Sequence, residues 1–397
     1  MPVATLTAEF DQLIQFGPAS FTYYLRIRED AATLHQLLAG LDADRFILIT
    51  DKKAPPRQVA RMLSRLTAVA PCTVQAVPAG ERTKTLTGLM DLADAAIRAG
   101  MTRRSVVVAF GGDRAGNVAG LLAALLYQGI RLVHIPTTLL AMSESALSLT
   151  QSVYSKEGKR LLRTFHAPEF VWADLNYAKS LPATEIRSAL CEMIKIVLAA
   201  VPARFDWAMA RLRPDARYTT WELADFMAFC IDSRQRVMAD DPHETGQALA
   251  LEYGHTIGHA SELLVPGGIS HGLATGVGML AAARVAGELG YLTASDQHAH
   301  RVLLERAGAP AVLPYRVPAK DFLDLLHESD RPGQRQSQPG AVAMVLLDGL
   351  GALHLRGHDV DTGLAQRGAG DGQHEDDRGF GVWVHRTAPE RKARPRG

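Results

Sequence analysis

Two histidines four residues apart, His255 and His259, stand in the stretch Glu252-Tyr-Gly-His-Thr-Ile-Gly-His-Ala-Ser-Glu262. On a helix their imidazoles leave the same face, one turn apart. A third imidazole, His271, follows Pro266-Gly267-Gly268, a loop able to fold it back towards that face. Far upstream, Glu192 stands in the apolar run Ala189-Leu-Cys-Glu-Met-Ile-Lys195. A carboxylate with two or three imidazoles is a donor set for a catalytic metal that keeps positions open for substrate. A helical histidine pair is as often a surface feature or a satisfied core pair. Spacing by itself leaves both readings open.

These residues need a scaffold, and the pattern of apolar runs outlines one. Arg45-Phe-Ile-Leu-Ile-Thr-Asp51 reads as a buried parallel strand whose carboxyl end delivers Asp51. An acid there holds a nucleotide ribose or simply turns the chain, and both readings stay open. Cys72–Val77 is a second strand. Ser105–Phe110 is the clearest strand, and it runs into Gly111-Gly112-Asp113-Arg114-Ala115-Gly116-Asn117 and then the apolar helix Val118–Tyr127. Strand, glycine-rich turn and helix bring backbone N–H groups to a pyrophosphate. Ile130–Ile135 is a further strand, ending at Pro136-Thr137-Thr138. Alternation of strands and helices predicts a doubly wound, Rossmann-like α/β domain over 1–178. Beyond Leu181-Pro182 the segments Glu185–Ala200, Trp221–Met238, Tyr253–Leu264, His271–Leu289 and Ser295–Ala307 read as helices. They predict a mainly α-helical metal and substrate domain over 179–358, with a short strand at Ala341–Leu347. The Gly-, Asp-, Arg- and Pro-rich remainder, 359–397, is expected to be a disordered tail.

Composition narrows the function. A chain of 397 residues suits two domains, and 47% hydrophobic with 21% charged residues suits a packed soluble globule. A net charge of +1 gives no basic excess for neutralising nucleic-acid phosphates. Three widely spaced cysteines form neither a disulfide framework nor a CxxC site, which suits a reducing cytoplasm. The first ten residues lack the pattern of a signal peptide. The longest apolar stretch, Val118–Tyr127, is too short to span a bilayer, so no membrane partner is expected.

Glu252-Tyr-Gly-His-Thr-Ile-Gly-His-Ala-Ser-Glu262, followed by Gly267-Gly-Ile-Ser-His-Gly272, resembles the metal-binding core of the dehydroquinate synthase superfamily of sugar-phosphate cyclases, nearest to its 2-deoxy-scyllo-inosose synthase branch. The resemblance runs from about residue 47 to about residue 351. It implies that Glu192, His255 and His271 converge on one Zn²⁺ or Co²⁺. It also implies that Asp51, Glu81, Lys84, Gly111, Gly112, Asp113, Gly116, Asn117, Thr137, Thr138, Thr150, Lys159 and Arg160 occupy cofactor-facing positions around NAD. His259 matches a site histidine, and Lys195, on the face of Glu192, reaches towards substrate oxygens. Glu252 stands where dehydroquinate synthases carry Asn and the deoxy-inosose synthases carry an acid/base Glu. The implied reaction converts D-glucose 6-phosphate to 2-deoxy-scyllo-inosose, an aminoglycoside precursor. It proceeds by transient oxidation at C4, β-elimination of phosphate, return of the hydride and an intramolecular aldol closure. A homodimer is implied as well.

The chain departs from that pattern at defined positions. Asp113 replaces the third glycine of the turn, Thr150 replaces a lysine, Arg160 replaces an asparagine, and Pro242 replaces the lysine of an Asp-Lys-His-Glu motif. Ser329-Asp-Arg331 replaces Asp-Asn-Lys. Lost lysines weaken the hold on a phosphate dianion, and Arg160 and Arg331 are candidates to compensate. Three readings therefore stand: the cyclase; a metal- and NAD-dependent alcohol dehydrogenase or a 3-dehydroquinate synthase-like enzyme; and a non-catalytic paralogue.

Overall fold

In a computed structural model, the structure describes residues 9–77, 85–155, 158–329 and 341–361. The amino-terminal half is built from β1 (Phe10–Phe16), β2 (Ala19–Arg26), β3 (Phe46–Asp51), β4 (Cys72–Val77), β5 (Val106–Gly111), β6 (Arg131–Pro136), β7 (Thr150–Ser155), β8 (Gly158–Phe165) and β9 (Phe170–Asp174). Seven of these form one sheet in the order β1-β2-β9-β6-β5-β3-β4. Every pairing from β2 onward is parallel, and β1 closes one edge as an antiparallel hairpin partner of β2.

The central strands are apolar throughout because helices cover both faces. Ile47, Ile49, Val107 and Ala109 meet the helix Asp113–Leu125 on one side. Phe46, Leu48, Val106 and Val108 meet Leu34, Leu38, Met62 and Leu66 on the other. The chain runs outward from β3 to β4, returns to β5 beside β3, then proceeds the other way to β6. The topological switch point therefore lies between β3 and β5, where doubly wound sheets bind ligands at the carboxyl ends of their strands. Asp51 ends β3 and Gly111 ends β5.

The helical half follows Asp174. Helix Ala183–Ala199 is buried continuously from Ser188 to Ala199. It packs against helix His271–Glu288, which packs in turn against helix His255–Leu264. Gly272 sets that approach: a Cβ there would lie 1.8 Å from the Ser188 carbonyl oxygen, so only glycine lets the two helices meet at this point. The Gly272 N–H is held by the Ser188 hydroxyl at 2.9 Å.

Four differences from the sequence reading have clear causes. The helix expected from Tyr253 begins at His255, because Gln247–Glu252 forms a 3₁₀ turn and Gly254 takes φ +81° between the two. Residues 10–26, to which the sequence reading assigned no element, supply two sheet strands. The hairpin β7–β8 was not anticipated either, since its register shift between Val153 and Ser155 breaks the period-2 pattern. Finally, β10 (Ala341–Leu347) pairs with β11 (Leu353–Asp361), so regular structure runs past the expected boundary at 358. Residues 362–397 of the expected tail lie outside the described residues.

Candidate active site

Three helices of the helical half aim Glu192, His255 and His271 at one point. Glu192 Oε1 lies 3.7 Å from His255 Nε2 and 3.6 Å from His271 Nε2. Donors about 2.1 Å from a tetrahedral zinc-sized ion stand roughly 3.4 Å apart, so this triangle has the size of a coordination face. Glu192 Oε1 is buried and receives no hydrogen bond. An orphaned carboxylate oxygen facing two imidazole nitrogens suits a cation.

The outer nitrogens of both rings are committed. Carboxylates can only accept, so His255 Nδ1–H donates to Glu252 Oε2 at 3.1 Å and His271 Nδ1–H donates to Glu262 Oε1 at 2.8 Å. Each pairing leaves Nε2 as the lone-pair nitrogen turned to the shared point, the arrangement found behind metal-bound histidines. His259 stacks on both rings, with centroids 4.8 Å from His255 and 5.5 Å from His271. Its ring nitrogen joins a second three-histidine cluster with them.

Lys195 lies one turn beyond Glu192 and is 1% exposed. Its ammonium forms an ion pair with Glu192, lies 3.5 Å from Glu144 Oε1 and stands 3.3 Å from His255 Nε2. Burial opposes its charge, but Glu144 and Glu192 outweigh that and raise its pKa. Burial likewise opposes ionisation of Glu192, yet Lys195 and the two imidazoles hold it well below the usual carboxylate range. For His271, burial is overcome by Glu262, Glu192 and Glu144, which push it up to about 10 in the metal-free site, so a cation binding there would displace the Nε2 proton and take its lone pair.

A cleft opens from this centre towards the sheet. Glu252, His259, Glu262 and His271 form its inner end; Asp113, Asn117 and Thr150 form the wall on the sheet side. Asp113 opens the helix that follows Gly111-Gly112, and its Oδ1 accepts from Asn117 Nδ2 at 2.8 Å. Asn117 Oδ1 in turn accepts the Ser152 N–H at 3.2 Å, tying the turn to β7. Asp51 Oδ2 accepts the Gly112 N–H at 3.0 Å and Oδ1 accepts from Arg114 at 2.7 Å, so this acid braces the glycine turn. The Thr137 N–H donates to the Gly111 carbonyl, and Thr138 caps the helix Leu139–Ser143. Gly116 stands over His134 one turn into the helix.

Glu81 and Lys84 lie outside the described residues, as does Arg331. Lys159 and Arg160 belong to β8, and their side chains are outside the described part. Lys195 does not line the open cleft; it is buried behind it. Among the described residues, the cations that line the cleft, Arg163 and Arg234, were missed in the sequence, as was Glu144. Arg234 is 5% exposed, its Nη2 lies 3.8 Å from Glu244 Oε1, and its Nε is buried without a hydrogen-bond partner. A charged residue at helical spacing from the apolar Met227, Cys230 and Ile231, on the buried face of helix Thr220–Met238, was the available signal for it.

Sequence profiles described as 3-dehydroquinate synthase N-terminal and C-terminal match residues 74–188 and 189–331. The chain is 42% identical over 339 residues to a 2-deoxy-scyllo-inosose synthase of Micromonospora echinospora, covering 85% of each chain. It is 43% identical over 315 residues to one of Streptoalloteichus tenebrarius, covering 79% of this chain and 82% of the relative. A crystal structure of 2-deoxy-scyllo-inosose synthase complexed with carbaglucose-6-phosphate, NAD⁺ and Co²⁺ superposes with a TM-score of 0.80 at 32% identity, over 87% of this chain and 94% of that one. A 2-epi-5-epi-valiolone synthase with NAD⁺ and Zn²⁺, at 20% identity and a TM-score of 0.67, shares the fold. No helix among the described residues is long and apolar enough to cross a membrane.

Proposed function

The chain belongs to the dehydroquinate synthase superfamily of sugar-phosphate cyclases, and from that premise we propose that it converts D-glucose 6-phosphate to 2-deoxy-scyllo-inosose and inorganic phosphate. The observation that carries this reading is the Glu192, His255, His271 triangle opening into a cleft walled by Glu252 and Arg234.

The orphaned Glu192 oxygen and the two inward Nε2 atoms fit one Zn²⁺ or Co²⁺, and Glu192, His255 and His271 would hold it. The glycine turn at the switch point, with Asp51 beneath it, fits NAD. When bound, the metal supplies Lewis acidity towards substrate oxygens, and NAD takes up and returns a hydride.

The residues of the chain do the remaining work. Arg234, desolvated and aimed into the cleft, holds phosphate oxygens together with Arg163 at the rim. Glu252 accepts the C5 proton once C4 is a ketone, so that phosphate leaves C6 by β-elimination. Its carboxylate also fixes the His255 tautomer, which ties the base to the metal ligand. His259 presents a ring nitrogen to substrate hydroxyls beside the ligand rings. Lys195 stays an ammonium and offsets the charge of Glu192 and Glu144. The family resemblance supports a homodimer, and three free cysteines suit a reducing cytoplasm.

The test is incubation with glucose 6-phosphate, NAD⁺ and Co²⁺ or Zn²⁺, followed by phosphate assay and mass analysis for a phosphate-free six-carbon ketone. Phosphate release without net NADH is the expected result. Stoichiometric NADH would select simple alcohol oxidation instead, and neither product would select a non-catalytic paralogue.

A further inference from the structure

We propose that Glu144 supplies a fourth protein ligand to the divalent metal, delivered from the nucleotide-binding half of the chain. The inference rests on the metal reading of Glu192, His255 and His271. Glu144 follows helix Leu139–Ser143, which leads out of β6, and so belongs to the sheet side of the molecule. At φ −132° and ψ −73° it leaves helical geometry before the next 3₁₀ turn begins.

The Glu144 carboxylate splits its two oxygens. Oε1 faces the Lys195 ammonium at 3.5 Å, and Oε2 faces His271 Nε2 at 3.8 Å. That second separation is close to the 3.6 and 3.7 Å edges of the Glu192–histidine triangle. One donor atom each from Glu144, Glu192, His255 and His271 lie within 4.8 Å of one another. Two carboxylates and two imidazoles complete a four-donor set suited to Zn²⁺ or Co²⁺. Lys195 offsets the second negative charge, which is why two buried carboxylates can share so small a space.

Closing the sphere with Glu144 has a structural consequence. Three ligands come from the helical half and one from the sheet half, so the metal joins the two walls of the cleft. Substrate must then displace Glu144 or enter as a fifth donor. In either case Glu144 sets how open the metal is.

The test is Co²⁺ and Zn²⁺ affinity by chelator competition, with the visible spectrum of the Co²⁺ protein, for wild type, Glu144→Gln and Glu144→Asp. Glu144→Asp keeps the charge beside Lys195 but is one methylene too short to reach the metal. The expected result is that both variants lose at least roughly tenfold in affinity, within the range for perturbing a metal site, and shift the Co²⁺ absorption bands. Circular dichroism and NAD⁺ binding should match wild type. If Glu144→Asp binds Co²⁺ as wild type does, with an unchanged spectrum, Glu144 acts only through its charge and the proposal is overturned. Wild type that takes up no stoichiometric Co²⁺ would overturn the metal reading itself, a distinct failure.

Discussion

Glu252 and His255 are joined by a 3.1 Å hydrogen bond from Nδ1–H to the carboxylate, so the residue proposed as the catalytic base also orients a proposed metal ligand. Glu262 makes the matching 2.8 Å contact to His271. Removing either charge should weaken the metal site even though neither carboxylate faces the ion. Glu262→Gln is expected to lower Zn²⁺ affinity by about 10–100-fold with little further effect on turnover at saturating metal. Glu252→Gln is expected to lower it similarly and also to cut kcat by roughly 10²–10⁴-fold at saturating metal. Equal kcat losses in the two variants would remove Glu252 from the proton-transfer role.

Asp113 places a carboxylate at the start of the helix that follows the glycine turn, where a pyrophosphate would meet backbone N–H groups. Two negative charges this close in partly solvated surroundings repel by ~1 kcal/mol or more. Asp113→Asn keeps an acceptor for Asn117 and should tighten NAD⁺ binding by about fivefold or more, the equivalent of that energy. Titration calorimetry checks it, and an unchanged Kd would mean that Asp113 is directed away from the cofactor.

Arg234 and Thr150 line the same cleft. Arg234→Met should raise the KM for glucose 6-phosphate by at least roughly tenfold, the loss of a charge-assisted pair to phosphate. NAD⁺ affinity should stay unchanged. Thr150→Lys adds a cation to that wall and should lower the same KM. Steady-state kinetics with inorganic phosphate as competitor separates the two: its Ki should follow the KM in both variants. A KM unchanged in Arg234→Met would place the phosphate elsewhere.

His134, beneath the helix that follows the glycine turn, offers a stability test separate from the metal centre. Burial, helped by His166, pushes its pKa down to about 4, and its Nε2 is buried without a partner. In the unfolded chain the value is roughly 6.5, so the unfolded state takes the proton first as the pH falls. The stabilising contribution is therefore complete above about pH 6.5 and is lost on acidification towards 4, about 2 kcal/mol of it by pH 5. Urea unfolding at pH 7 and pH 5 should show that loss in wild type and a shallower pH slope in His134→Leu. Identical slopes would mean that other groups govern acid sensitivity.

Much of the molecule was legible before folding. Buried parallel strands must be apolar on both faces, which made β3, β5 and β6 visible as runs. The His255–His259 spacing and the apolar setting of Glu192 offered a metal donor set, but spacing left a surface or core pair equally open, and the ligand set came from the family resemblance. What the sequence could not carry was the second role of each group. Glu252 read as a carboxylate acting on substrate; only the break at Gly254 turns it back onto His255 Nδ1. Lys195 read as reaching substrate; burial against Glu192 and Glu144 turns it inward. Glu144 and Arg234 stood unnoticed because neither sits at a recognisable spacing from the histidines or within the motif that they form. Local periodicity reports which face of an element is buried. Which elements meet, and so which charges must share one small low-dielectric space, depends on helix contacts such as Gly272 against Ser188, set by the folded chain as a whole.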